Sequence, residues 1–301
     1  MDQISAMQTF VRVAELASFT QAAESLGQPK ASVSLAVQKL ENELGVRLLH
    51  RTTRKVQMTQ DGQAFYQRSK DLLADLDELQ GMFVAGDVDL TGRLRVDMPS
   101  GVAKNIVVPA LPDFLRAHPK LEIELSSTDR RVDLVREGFD CVLRVGTLTD
   151  SNLVARQLGR YRLVNCASRE YLEQFGTLSD LDDLARHRLV HYVPILGARS
   201  PGFEYLDLSG ETRFLTMPGA LTVNNSDAYL AACLAGLGII QVPDAAVHPH
   251  IANGQLVDLL PQWRAAPMPV TLLYASRRQL PKRVQVFMGW MAEVMRPYLL
   301  G

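Results

Sequence analysis

The sequence predicts an α+β chain of several domains: a small N-terminal helical module closed by a basic wing, one long helix, and an α/β domain of two lobes. Three observations carry this. Residues 1–60 hold three short helical segments punctuated by Gly27 and Gly45, then a cation-rich stretch with no acid between 47 and 55. Residues 61 to about 86 form one run with apolar residues at 3–4 spacing. From residue 92 onward, strand-like segments alternate with helical ones.

A chain of 301 residues can hold two or three hydrophobic cores. Its composition, 47% hydrophobic and 22% charged, is that of a soluble globular protein. The net charge of -1 excludes a uniformly basic chain but leaves room for a local basic patch. No run approaches the roughly 18 apolar residues of a membrane span, and Met1-Asp2-Gln3-Ile4 opens no basic-then-apolar leader. The sequence therefore predicts a cytoplasmic protein with no membrane partner. Cys141, Cys166 and Cys233 are far apart, in two strand-like runs and one alanine-rich helix, so they are expected as buried thiols. No zinc spacing occurs and no cofactor is called for. The motifs G-x-S-x-G, H-E-x-x-H and the P-loop are absent. His248 and His250 flank Pro249 in an expected loop and read as a surface pair, so the chain does not read as an enzyme.

In the first helix Ile4, Met7, Val11 and Ala14 line one face, with Phe10 beside them. The second begins at Ser18-Phe19-Thr20-Gln21, a capping-box pattern, and stops at Leu26-Gly27. Pro29 suits the first position of a third, whose stripe is Val33, Val37, Leu40 and Leu44 and which ends at Gly45. Two helices joined by a tight turn and braced by a first make a helix-turn-helix. Opposite the stripe lie Ala31, Leu35 and Gln38, flanked by Ser34, with Lys30 at the N-terminal end. In such a motif this outer face enters the major groove of double-stranded DNA. Lys30 suits guanine O6/N7, Ser34 a base or phosphate, and Ala31 and Leu35 thymine methyls. Residues 46–59 alternate about Thr52-Thr53 as a two-stranded wing carrying Arg47, Arg51, Arg54 and Lys55, cations suited to phosphates or a narrow minor groove. Arg47 is alternatively placed to pair with Glu43.

The stretches FVRVAELASFTQAAESLG and ASVSLAVQKLENELGVRLLHRTTRKVQMTQDGQAFY, within residues 10–66, resemble the N-terminal module of LysR-type transcriptional regulators. The resemblance implies DNA contacts at Lys30, Ala31, Ser34, Leu35, Arg51, Thr53 and Arg54. The family often has Gln in place of Lys30 and Arg in place of Leu35, so the preferred DNA sequence is left open. From Asp61, Phe65, Ser69, Leu72, Leu76, Leu79 and Phe83 form a stripe that a lone helix cannot bury, which predicts pairing with a second copy. The family uses this helix for dimerisation, which implies an interrupted palindrome as target and a tetramer or larger as the assembly. Gly86 to Gly92 reads as a hinge.

In the α/β region, a strand at Leu94–Met98 leads into a helix to about Arg116. A strand at Leu121–Ser126, a helix over Arg130–Glu137 and a strand at Asp140–Val145 follow. Ligands bind beyond the carboxyl ends of such parallel strands. Ser100 and Thr128 sit there at expected helix starts, where hydroxyls and N–H groups can hold an anion such as a carboxylate. A second lobe begins near Leu163, and the chain returns to the first through Val270–Tyr274 and a helix over Val284–Tyr298. The motifs PxLxxFLxxHPxLxIEL, DLVREGFDCVLRVG and NNSDAYLAACLAGLGIIQVP resemble the regulatory half of LysR-type proteins, whose fold is like that of periplasmic solute-binding proteins.

The expected domains are 1–60 (winged helix-turn-helix), 61–91 (linker helix and hinge) and 92–301 (effector domain). Lobe I takes 92–162 and 267–301, and lobe II takes 163–266. The implied effector pocket has Ser100, Thr128 and Arg144 on one side and Tyr192, Asn225 and Ser226 on the other. Arg144 is placed to pair with a small organic acid, with Asp140 or with a neighbouring subunit. The function implied is sequence-specific regulation of transcription, modulated by a small-molecule effector.

Overall fold

Phe10, Val13, Val33 and Val37 are fully buried, and three helices converge on them: α1 (Gln3–Leu16), α2 (Phe19–Leu26) and α3 (Lys30–Leu44). The structure, a computed structural model, describes residues 2–51, 56–81, 90–148, 153–275 and 280–300. They fall into two units, residues 1–93 with 120–122, and 94–119 with 123–301.

In the first unit, α1 buries Ala6, Thr9, Phe10, Val11 and Val13. The inward face is thus turned from the expected one, leaving Ile4 and Met7 half-buried; Phe10, the bulkiest side chain, sets the rotation. Ser18 accepts the Gln21 N–H at 3.3 Å, one half of the expected box. Gly27 closes α2 at φ +63°, in the left-handed region that costs a residue without a Cβ little. Val33, Ala36, Val37 and Leu40 fill the inner side of α3, while Leu44 overruns the core and is 38% exposed.

β1 (Leu49–Arg51) and β2 (Val56–Met58) pair antiparallel, Leu49 opposite Met58. The wing is tied to α3 by the Glu41 carboxylate, which accepts the Leu48 and Leu49 N–H groups at 2.9 and 3.0 Å. Thr59 donates its hydroxyl to the Arg47 carbonyl at 2.7 Å and accepts the Gly62 N–H at 2.8 Å. A Cβ at Gly62 would overlap the Leu48 carbonyl, so only glycine lets α4 (Gln60–Gly81) start this close to the wing. The stripe expected along α4 is divided. Phe65 meets Phe10 edge-on at 5.5 Å and Ser69 is buried, so both serve their own unit. Leu72 faces out, 50% exposed, and Leu76 is half-buried. Phe83, the side chain of Leu79 and residues 86–89 of the hinge expected over Gly86–Gly92 lie outside the described residues.

The second unit takes up β3 (Gly92–Met98) from Leu94, followed by α5 (Ser100–Val102), a π-helical stretch (Ala103–Val107) and α6 (Val108–Ala117). Then come β4 (Leu121–Ser127), α7 (Leu134–Glu137), β5 (Cys141–Val145), β6 (Leu153–Tyr161), β7 (Leu163–Ser168) and α8 (Arg169–Phe175). A 3-10 turn (Leu181–Arg186), β8 (His191–Tyr192), β9 (Phe203–Leu206), β10 (Thr212–Leu215), β11 (Thr222–Val223) and α9 (Ser226–Leu234) continue the chain. It ends with β12 (Ile240–Pro243), α10 (Asp244–Ala252), β13 (Leu256–Leu259), β14 (Met268–Ala275), α11 (Lys282–Met295) and a 3-10 turn (Arg296–Tyr298). The two larger sheets have the orders β4-β3-β5-β14-β6 and β12-β7-β13, and β9 with β10 and β8 with β11 make two further two-stranded pairs. β3 and β5 are parallel, whereas β14 runs antiparallel to both β5 and β6. α11 buries Val284, Phe287, Met288, Met291 and Met295, with Phe287 5.7 Å from Phe114.

Two expected elements differ. The helix foreseen over 130–137 shrinks to α7, because Asp133 caps it by accepting the Arg136 N–H at 3.0 Å, so Thr128 does not begin a helix. His248 and His250 lie in α10 and not in a loop. Pro249 gives no N–H to the ladder, and the burial of Val247 holds the segment helical. All three cysteines are buried as expected, and burial pushes the Cys141 thiol up. The Cys166 thiol is pushed up by its hydrogen bond with Cys233 and by burial, so neither favours the reactive thiolate.

Glu41→Ala leaves two wing N–H groups without their acceptor, and the expected loss is about 1–3 kcal/mol for the N-terminal unit. Urea unfolding followed by a probe in that unit measures it, and an unchanged midpoint would remove Glu41 as the tie.

Candidate functional site

On α3, Lys30, Ala31, Leu35 and Gln38 are exposed and Ser34 is half-buried. Leu35 is 65% exposed, a high value for leucine on a helix whose other face is dry. Pro29 precedes the helix and no side chain caps it, so its first N–H groups face outward without an intrahelical acceptor. That feature had no signature beyond Pro29 itself. Lys39 pairs with Glu43 at 3.8 Å, which takes the acid that Arg47 was alternatively expected to meet. Thr53, Arg54 and the side chain of Arg51 lie outside the described residues.

In the second unit, a cavity of about 290 Å³ lies between the two sheets' lobes. Lobe I contributes Thr128, Arg144, Val145 and Tyr161, and lobe II contributes Tyr192, Ser226, Tyr229 and Gln241. Of the expected residues, Thr128, Arg144, Tyr192 and Ser226 line it, while Ser100 and Asn225 do not. Asn225 is occupied as a helix cap: its side-chain oxygen accepts the Asp227 and Ala228 N–H groups, both at 3.0 Å. Ser100 is buried, its hydroxyl 2.9 Å from that of Ser226, which does line the cavity.

The partner of Arg144 is Asp97, wholly buried in β3, whose carboxylate accepts the guanidinium at 2.6 Å. Asp140 is engaged elsewhere, accepting the Arg95 N–H at 2.8 Å. Thr128 donates its hydroxyl to the other oxygen of Asp97 at 3.3 Å. β3, β5 and the segment after β4 are therefore joined by one buried carboxylate, whose two partners Arg144 and Thr128 line the cavity.

Asp129 is the residue that sequence reasoning passed over. It accepts the Ser100 N–H at 3.0 Å and the Ser226 N–H, and the Ser100 hydroxyl lies 3.4 Å from it. The Gly101 N–H donates to the Ser226 hydroxyl at 3.3 Å. These bonds join the lobes. Tyr192 stands 5.4 Å from Tyr229, and burial together with the negative charge of Asp129 pushes its phenol up to about 12. Tyr192 is thus a protonated donor at neutral pH.

Comparison with known proteins covers both units. Residues 4–63 match the family described as bacterial regulatory helix-turn-helix protein, lysR family, and residues 88–296 match the LysR substrate binding domain. The chain is 48% identical to an uncharacterised HTH-type transcriptional regulator, YhjC, of Escherichia coli K12, over 99% of this chain and 100% of that one. It is 39% identical to an HTH-type transcriptional repressor of Pseudomonas aeruginosa, over 98% of this chain and 92% of the relative. Among solved structures, the LysR-type regulator CrgA of Neisseria meningitidis is similar at TM-score 0.61 and 30% identity, covering 96% of this chain and 97% of that one.

The buried pair carries an expectation of its own. Arg144→Met leaves the Asp97 carboxylate uncompensated and is expected to cost about 3–5 kcal/mol. The added change Asp97→Asn should restore part of that loss in denaturant titrations. Equal stability of the single variant and the parent would show that the pair does not hold the strands.

Proposed function

The chain belongs to the LysR family of bacterial transcriptional regulators, and from that premise we propose that it reads an interrupted palindrome in double-stranded DNA, under control of a small molecule held between the lobes of its C-terminal domain. It is a regulator and not an enzyme: the matched domains are regulatory and the relatives are named transcriptional regulators. The observation that carries the reading is the outer face of α3, where Lys30, Ala31, Leu35 and Gln38 stand exposed beside an uncapped helix start. Lys30 and Gln38 supply hydrogen bonds for base edges, and Leu35 an apolar surface for thymine methyls. Uncapped N–H groups suit a phosphate, as do Arg51, Thr53 and Arg54 of the wing.

The division of labour follows the expected domains: 1–60 read DNA, 61–91 connect and pair, and 92–301 sense, with lobe I as 92–162 and 267–301 and lobe II as 163–266. The outward Leu72 on α4 supports pairing with a second copy, and dimers of this kind build a tetramer or larger. No described helix is long and apolar enough to cross a membrane, which is compatible with a cytoplasmic regulator. Effector control then needs only a ligand with different affinities for two lobe arrangements.

Selection of sites from random duplex DNA by the full-length protein tests the reading; two half-sites related by a dyad are expected, and recovery of no specific sequence would overturn it. Arg51→Ala with Arg54→Ala should weaken binding to every sequence and reduce the salt slope by up to about 2. Leu35→Arg should change which half-site is selected while leaving that slope within about 1 of the parent's. An unchanged slope in the first variant removes the wing from the phosphate contacts, and an unchanged site in the second removes Leu35 from the bases.

A further inference from the structure

We propose that the inter-lobe cavity takes a small, uncharged, largely apolar molecule and not an organic acid, because the chain's own Asp129 fills the seat an acid would need. The inference rests on the ligand-sensing reading above and names its chemical class.

In an α/β domain an external carboxylate docks on N–H groups at the carboxyl ends of strands and the starts of the helices that follow. Here those groups are the Ser100 N–H after β3 and the Ser226 N–H at the start of α9, and both already donate to Asp129. The Ser100 hydroxyl points to the same carboxylate. Asp129 is tethered within its own domain, so a free acid must displace an intramolecular rival that is always present. The displaced Asp129 would remain charged beside the newcomer, a like-charge contact that disfavours the pair.

No other cation on the wall offsets this. Arg144 is the one Lys or Arg among the described lining residues, and its guanidinium serves Asp97 and the Leu143 carbonyl. Asp129 is itself a lining residue, so its carboxylate faces any guest directly. Gln241 offers no anchor either, since its amide donates to Asn165 and to the Glu204 carbonyl and accepts the Glu204 N–H. Asp227, the second carboxylate on the wall, is paired with Lys104 at 3.4 Å, and beside it and Asn105 the wall is largely apolar and aromatic, with Ile106, Val145, Tyr161, Leu230 and Met268. The Tyr192 hydroxyl makes no hydrogen bond among the described residues and is placed to donate to one carbonyl or hydroxyl of a guest. A volume of about 290 Å³ equals that of roughly ten waters, the scale of one substituted ring.

The test uses three probes of one skeleton, benzamide, benzoate and benzylammonium, with binding to the full-length protein read by ligand-observed NMR at neutral pH. Benzamide is expected to bind at least about tenfold more tightly than benzoate, and the cavity-filling Ala246→Phe should abolish its signal. In Asp129→Asn the vacated charge should move the benzoate-to-benzamide affinity ratio toward benzoate by at least about tenfold. Benzoate or benzylammonium binding tightest to the parent protein would overturn the proposal, as would an unchanged ratio in folded Asp129→Asn. If the variant does not fold, the ranking on the parent protein decides alone. Silence of all three probes on the parent and on folded Asp129→Asn would overturn the ligand-site reading itself, an outcome distinct from a wrong class.

Discussion

A carboxylate withdrawn wholly from water has to be answered by a cation and hydrogen-bond donors, and Asp97 imposes that demand on the centre of lobe I. Arg144 meets it from β5, and Thr128 from just beyond β4. Three neighbouring segments of the sheet are thereby brought to a common level at their carboxyl ends. Ser100 follows Asp97 by three residues, and Asp129 follows Thr128 by one. The positions of both are therefore inherited from the buried pair. Once they are fixed, Asp129 lies where it can take N–H groups from both lobes. The character of the cavity, apolar on much of its wall and with the Asp129 carboxylate on it, descends from this sequence of constraints.

The N-terminal unit solves a comparable problem with a half-exposed acid. Glu41 stands on the inner flank of α3 and collects the N–H groups of Leu48 and Leu49 where the chain leaves the helix for the wing. Thr59 and the bare backbone of Gly62 then let α4 begin directly against the same turn. Helix, wing and linker are joined within a few bonds, so the angle of the wing against α3 is set by short-range chemistry and not by loop length.

Local punctuation explains what could be read in the sequence. Ser18, Gly27, Pro29 and Gly45 act on their immediate neighbours, and the exposed face of α3 follows from helical period once its ends are known. Burial choices among apolar residues of similar size were less legible. The rotation of α1 about Phe10, and the division of the α4 stripe between Phe65 facing in and Leu72 facing out, depend on which helix packs where. In the C-terminal domain Thr128, Arg144, Tyr192 and Ser226 are legible because strand ends announce themselves in the sequence, even where, as at Thr128, no helix follows directly. Asp129 is not, since its defining contact with Ser226 spans 97 positions and nothing near it in the chain signals a second lobe. Tyr161 has the same difficulty, lying at the end of a strand, β6, that carries little period of its own.

The place of β14 in the sheet also bears on how the protein comes into being. It lies between β5 and β6, antiparallel to both, yet it is drawn from residues 268–275, after the whole of lobe II has been made. A polypeptide leaving the ribosome can close α1, α2 and α3 on Phe10 through contacts short in sequence, whereas β5 and β6 must wait for a partner more than a hundred residues downstream. Such long-range closure is slow and leaves strand edges open while it is awaited. During synthesis the helix-turn-helix module therefore exists before the C-terminal domain is complete, and the edges of β5 and β6 that await β14 are exposed strand edges until it arrives.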